Sequence, residues 1–266
     1  MSVVTSHSAA VSRTRPFYAR HAQAYDLLIT DPVEPWVETV HERLVRAGRP
    51  AALVLDAGCG TGRHAAALTT LGHHVDLADA AEDLLRQAAA RCPRARTFHA
   101  DLCALDLGLQ YQAVTCRGVL NDMLTDTDRD AVLRCFAASL RTGGLLFLDV
   151  REEHGSRDRA DATPRHQSVQ LDPDTHLDFT STVTWNAGLL HVHEQYTLRC
   201  GQQLAHESTY DFAMRPWTQD ELVQRLTAAG FHDIETRPGV GRKTPDRLLV
   251  IATRSQHAAE PTQSGQ

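Results

Sequence analysis

Gly58, Gly60 and Gly62 stand at alternate positions directly after a short apolar run, Ala52-Leu53-Val54-Leu55, that closes on Asp56. A glycine-rich turn after a buried strand lets backbone approach a ligand closely and aims the next helix's free N–H groups at a negative group. Nucleotide-type cofactors are held this way. The dinucleotide fingerprint needs a glycine at position 63, where Arg63 stands, so the spacing disfavours NAD and a nicotinamide oxidoreductase. A tight turn needing glycines for backbone reasons alone is the plainer alternative. Asp79 closes the next apolar stretch, where a carboxylate can accept both hydroxyls of a ribose. The neighbouring acids Asp76, Glu82 and Asp83 read as a solvated face.

The elements that must position these residues follow from periodicity. Phe17 to Leu28 and Trp36 to Ala47 carry helix-spaced apolar residues, the second stopping at Gly48 with Pro50 beyond. The pattern then becomes strand, helix, strand, helix, strand, through Leu53 to Leu55, Arg63 to Leu71, His74 to Ala78, Glu82 to Arg91 and Arg96 to His99. It continues with a strand at Ala113 to Cys116, a helix from Asp128 to Leu140 and a strand from Leu145 to Val150. Arg151 to Pro164 is polar and loop-like. Leu177 to Trp185, Leu189 to Arg199 and Leu204 to Met214 read as three antiparallel strands inserted into the alternation, which resumes at Thr218 and ends with strands at Phe231 to Thr236 and Arg247 to Thr253. The expected fold class is therefore α/β: a Rossmann-like, seven-stranded, mostly parallel sheet with helices on both faces, N-terminal helices and an antiparallel β insertion.

Composition bounds the rest. A chain of 266 residues can bury one large α/β core without a second independent domain. Its net charge of −6, with Lys and Arg scattered, leaves no footprint for nucleic acid or an anionic membrane, so a small-molecule partner is expected. Met1 to Thr14 lacks the apolar stretch of a signal peptide and no run reaches membrane-span length, which points to a cytoplasmic protein. The six cysteines form no C-x-x-C pair, and the histidines show no H-E-x-x-H spacing. His191 and His193 share a strand face that could hold a metal, but no metal centre is expected.

Asp56-Ala57-Gly58-Cys59-Gly60-Thr61-Gly62 resembles the first motif of the class I S-adenosylmethionine-dependent methyltransferases, an acid followed by G-x-G-x-G. The likeness spans about Phe17 to Thr253, with its specific motifs between Leu53 and Asp122. It implies S-adenosylmethionine as cofactor, with the glycines and Cys59 under its methionyl part and Asp56 at its ammonium end. Asp79 and Ala80 would meet the ribose, and Asp101 with Leu102 the adenine. Cys116 and Arg117 would flank the cofactor, and Asn121 would face the substrate or else cap a helix. The segment with Tyr18, His21 and Tyr25 resembles a lid helix, so Tyr18 is expected at the cofactor and Tyr25 and His21 near the transferred methyl.

The implied organisation is a mobile stretch 1–14, a lid 15–50, a cofactor-binding core 51–150, a β insertion 151–217, the end of the core sheet 218–254 and a tail 255–266. In the similar glycine and sugar N-methyltransferases such an insertion roofs the substrate pocket. Here His191 and His193 lie on one face of its middle strand and Glu194 and Tyr196 on the other; the histidine face is the one carried forward as catalytic. A sulfonium already makes its methyl electrophilic, so the protein must align a nucleophile and manage one proton. The expected activity is methylation of a small-molecule amine or hydroxyl by in-line displacement, by a monomer or homodimer. The alternatives are an indole-like carbon acceptor and a binding module without catalysis.

Overall fold

A computed structural model describes residues 5–255. Its core alternates strand and helix: β1 (Leu53–Ala57), α4 (Arg63–Thr70), β2 (His74–Asp79), α5 (Glu82–Arg91), β3 (Thr97–His99), β4 (Tyr111–Arg117), α6 (Asp126–Ser139) and β5 (Leu140–Arg151). After the insertion come α8 (Gln219–Ala228), β10 (Phe231–Pro238) and β11 (Arg247–Arg254). The seven strands form one sheet in the order β10-β11-β5-β4-β1-β2-β3, in which β11 runs against its neighbours. Apolar runs such as Leu145 to Leu148 are buried because both faces of the sheet are covered. On one face α3 (Glu34–Arg46), α4 and α5 supply Trp36, Leu44, Leu68 and Leu85; on the other, α6 and α8 supply Leu133, Phe136, Leu222 and Leu226. The strand order reverses between β1 and β4, which opens a crevice at their carboxyl ends, the place where such sheets bind ligands.

The insertion is a separate antiparallel sheet of four strands, β6 (Arg165–Asp172), β7 (Thr175–Asn186), β8 (Leu189–Cys200) and β9 (Gln203–Met214), where the sequence shows three. The additional edge strand β6 pairs with β7 from Arg165 to Asp172, yet only Val169 and Leu171 give it an apolar signal. Before it, Glu153–Asp158 forms the short helix α7 inside the stretch expected as loop.

Two expectations for the N-terminus change. Of the stretch 1–14 expected to be mobile, 1–4 lie outside the described residues, and His7–Thr14 folds as α1, its first turn capped by Ser6 Oγ, which accepts the Ala9 N–H at 3.3 Å. The buried side of α1 is Ser8, Ala9 and Val11, too small and too polar to show helical periodicity in the sequence. The single helix expected from Phe17 to Leu28 is instead a series of turns, a 3-10 turn at Ala22–Ala24 and α2 (Tyr25–Leu28). Phe17 and Leu28 pack on Leu177 and Tyr196 of the insertion, with Tyr18 and Tyr25 at the margin of that cluster. This two-sided packing overrides the helical spacing. No described helix is long and apolar enough to cross a membrane. Of the expected tail only Ser255 is described; 256–266 lie outside the described residues.

Candidate active site

The glycine loop crosses the end of β1 with all three glycines at positive φ: Gly58 at 73°, Gly60 at 54° and Gly62 at 77°. A side chain would be strained at each. A Cβ on Gly58 would stand inside the Val119 side chain, and one on Gly60 would meet the Tyr25 hydroxyl at 3.7 Å. Gly62 does a different job, since its Cβ would lie 3.0 Å from that of Ala88 and push α4 off α5.

Asp79 braces this loop. One of its carboxylate oxygens accepts the Gly60 N–H and the other the Ala81 N–H, both at 2.8 Å. Burial raises its pKa, and the N–H donors of Ala81, Gly60 and Ala80 oppose that rise. Asp56 is buried at the end of β1, where it accepts the Thr115 hydroxyl at 2.8 Å. Burial lifts its pKa to about 6, against the pull of Thr115 and with a further push from Asp79.

Two adjoining cavities share Tyr25, Gly58, Gly60 and Arg117. The first extends along Asp79, Ala80, Leu84 and Leu102, and its other wall is Tyr18, Val119 and Asp122, with Ser8 and Ser12 of α1 closing over it. The second holds Asp56, Cys59, Arg63, His64 and Arg242. It is a concentrated cationic end. Burial and the neighbouring Arg242 lower Arg117 to about 10, while burial and three arginines hold His64 neutral at about 2. Arg242 is anchored by Asp149 and by Asp31, the latter at 3.0 Å. Between them the two cavities present Asp79, the apolar side chains of Ala80, Leu84 and Leu102, and Asp56 with several arginines. That layout suits a zwitterion joined to a ribose and a flat base, and the room it needs is the room that side chains at Gly58 and Gly60 would take.

Residues 54–144 match the family model described as a methyltransferase domain. That stretch, about a third of the chain, is therefore a methyltransferase domain. The cofactor of this class is S-adenosylmethionine, as the glycine loop implied. The chain is 30% identical over 149 residues to a dTDP-3-amino-3,6-dideoxy-alpha-D-glucopyranose N,N-dimethyltransferase of Streptomyces fradiae, a match covering 54% of this chain and 58% of that enzyme. Among solved structures it resembles CalS10, an amino pentose methyltransferase from Micromonospora echinaspora solved with S-adenosylmethionine, at TM-score 0.68 and 26% identity over 85% of this chain and 93% of that one. It shares its fold with the sugar N-methyltransferase KedS8 from Streptoalloteichus sp., at TM-score 0.76 and 23% identity over 87% and 93% of the two chains.

Of the residues singled out in the sequence, the structure gathers Tyr18, Tyr25, Asp56, Gly58, Cys59, Gly60, Asp79, Ala80, Leu102 and Arg117 around the two cavities. Others stand elsewhere. Cys116 is fully buried in the hydrophobic core beneath the crevice. Asp101 already uses both oxygens on Ser6, accepting its N–H at 3.2 Å and its hydroxyl at 2.7 Å, and takes the Cys103 N–H at 2.9 Å. Asn121 is not free to face a substrate: its side chain donates to the Gly118 carbonyl and accepts the Arg151 N–H, joining the end of β4 to the end of β5.

His191 and His193 lie on the outer, exposed face of the inserted sheet, and His193 pairs there with Asp211 at 2.8 Å. The opposite parity is the inner one, with Glu194 and Tyr196 buried. His21 is buried outside the cavities, its ring 5.3 Å from that of Tyr196, and burial followed by the nearby His206 and Arg20 lowers its pKa to about 4. The inner face also reaches the cavity through the lid. Arg15 donates to Glu194 and, at 2.7 Å, to the Tyr18 hydroxyl, so the sheet backs the lid and the lid backs the cavity.

The sequence reading missed Asp122, Ser8, Ser12 and Arg242. Ser8 and Ser12 are spaced for one helical face, which was a usable signal. Arg242 reaches the site from the β10–β11 connection and carries no local signature.

Proposed function

We propose that this methyltransferase transfers a methyl group from S-adenosylmethionine to an amine of a small molecule. The observation that supports it most is the pair of adjoining cavities on the glycine loop and Tyr25, one lined by Asp79 and Tyr18 and the other by Asp56. When bound, the cofactor supplies a methyl group made electrophilic by a sulfonium. Each oxygen of Asp79 has a lone pair left beyond its loop N–H donor, enough to accept a ribose hydroxyl while the loop stays braced. Ala80, Leu84 and Leu102 give an apolar seat to the base. Asp56 balances the ammonium, which would draw its raised pKa back down. Arg117 and Arg242 hold the carboxylate.

Asp101 acts through Ser6, fixing the start of α1 above the base end. Tyr18, Tyr25 and α1 exclude water and align the acceptor, which is most of the work such a transfer demands of the protein. The preference for nitrogen draws on the Streptomyces fradiae enzyme and on CalS10, whose names specify an N,N-dimethyltransferase and an amino pentose methyltransferase.

The test is mass spectrometry of reactions with methyl-labelled S-adenosylmethionine. The acceptors are dTDP-3-amino-3,6-dideoxyglucose, glycine, sarcosine and a dTDP-sugar bearing hydroxyls but no amine. Label gained by an amine and not by the amine-free sugar is the expected result. Label on the hydroxyl sugar alone, or on none, would contradict it.

A further inference from the structure

Asp122 closes the short 3-10 turn Leu120–Asp122 between β4 and α6 and faces the first cavity beside Tyr18, Gly118 and Val119. Its residue is 7% exposed, and the one hydrogen bond found for it among the described residues is made by its backbone N–H, to the Val119 carbonyl. A buried carboxylate in that condition is costly and calls for a ligand or a chemical role. Its turn mate Asn121 ties the turn to the Gly118 carbonyl and the Arg151 N–H, whereas Asp122 faces the cavity.

The charged groups near it come from four elements: Arg15 at the start of the lid, Arg151 at the end of β5, Glu194 on β8 and Arg247 on β11. Each of the three arginines pairs with a different carboxylate: Arg15 with Glu194, Arg151 with Asp246, which Arg159 shares, and Arg247 with Asp149, which Arg242 shares. None is committed to Asp122. Burial lifts this carboxyl to about 7, with Arg15 and Arg151 pulling it down and Glu194 pushing it up.

We propose that Asp122 holds the acceptor amine in line with the methyl group and takes the proton that the amine must shed. This rests on the methyl-transfer function above. The nitrogen lone pair forms the new N–C bond while the S–C bond breaks with its electron pair left on sulfur. The nitrogen becomes an ammonium, and its proton passes to the Asp122 carboxylate, which later releases it to solvent. An acid poised near neutrality can do both tasks, since its ionised form accepts the N–H of the neutral amine and then receives the proton of the ammonium that the transfer creates.

The test needs no knowledge of the acceptor. Sinefungin carries an amine where the donor carries its methyl, whereas S-adenosylhomocysteine carries nothing there. Calorimetric titration of both ligands into the whole protein and into Asp122→Asn reads the contact directly. Loss of one charge-assisted contact should weaken sinefungin about 10- to 100-fold in Asp122→Asn and leave S-adenosylhomocysteine within about threefold. The second ligand also reports whether the variant is folded. An equal loss of both ligands, or no loss of either, overturns the role of Asp122 and leaves the methyltransferase function standing. Absence of binding by either ligand to the unaltered protein removes that function, and this role with it.

Discussion

In the glycine-loop cradle, Asp79 hands its oxygens to N–H groups at its own strand end and on the neighbouring loop, and Asp56 takes a hydroxyl from the adjacent strand. In the lid, by contrast, Arg15 meets Glu194 across 179 positions of chain, and Phe17 stacks on Phe179 at 5.8 Å between ring centroids. The cradle is thus built by the core sheet alone, whereas the lid exists only once the inserted sheet has folded and docked. Cofactor affinity should follow the first region, and acceptor chemistry and lid stability the second.

The sharpest way to break that division is Arg15→Met. It leaves Glu194, whose side chain is 2% exposed, as an uncompensated buried charge, so a loss of about 3–5 kcal/mol of stability is expected by urea denaturation. The double variant Arg15→Met with Glu194→Met should recover most of it. A single variant as stable as the parent would mean that the lid does not depend on this pair.

Gly58→Ala probes the other region. The positive φ and the overlap with Val119 should together cost about 2–4 kcal/mol of cofactor affinity, seen as a 30- to 1,000-fold rise in Kd by calorimetry. Stability should fall much less than with Arg15→Met. Unchanged affinity would show that the cofactor does not use this loop.

The smallest expected effect sharpens the boundary between the regions. Asp122 has its pKa raised by burial to about 7, so the advantage of its neutral form is complete below about pH 4 and is lost as pH rises through 7. Asp122→Asn should therefore equal the parent in stability near pH 4 and exceed it by about 1–3 kcal/mol at pH 8. A pH-independent difference between the two would place Asp122 in water rather than against the lid.

The same division explains how much was legible in the sequence. Gly58, Gly60, Asp56 and Asp79 announce themselves because the cradle is made of short-range steps: a buried strand, a turn that only glycine tolerates, an acid at the next strand end. The core strands and helices are legible for the same reason, through their apolar periodicity. The face of β8 was not, since alternation places His191 with His193 and Glu194 with Tyr196 but does not say which pair turns inward; that depends on the docking of Phe17 and Arg15. Asn121 and Asp122 are adjacent polar residues on one tight turn, and their roles are set by the Gly118 carbonyl and the Arg151 N–H, which sequence spacing does not place. α1 was missed because a helix that buries only serine, alanine and one valine has no apolar stripe. Arg242 comes from a connection with no motif, so nothing short of the fold brings it to the Arg117 end.

The central claim is that the cradle binds S-adenosylmethionine and that Asp79 receives its ribose while bracing the loop. Calorimetric titration with S-adenosylhomocysteine, repeated with Asp79→Asn and with NAD, tests it most directly. The account predicts saturable uptake of one S-adenosylhomocysteine per chain, weakened by about 2–4 kcal/mol in Asp79→Asn, and no heat from NAD. Uptake of NAD, or an affinity for S-adenosylhomocysteine indifferent to residue 79, would contradict it.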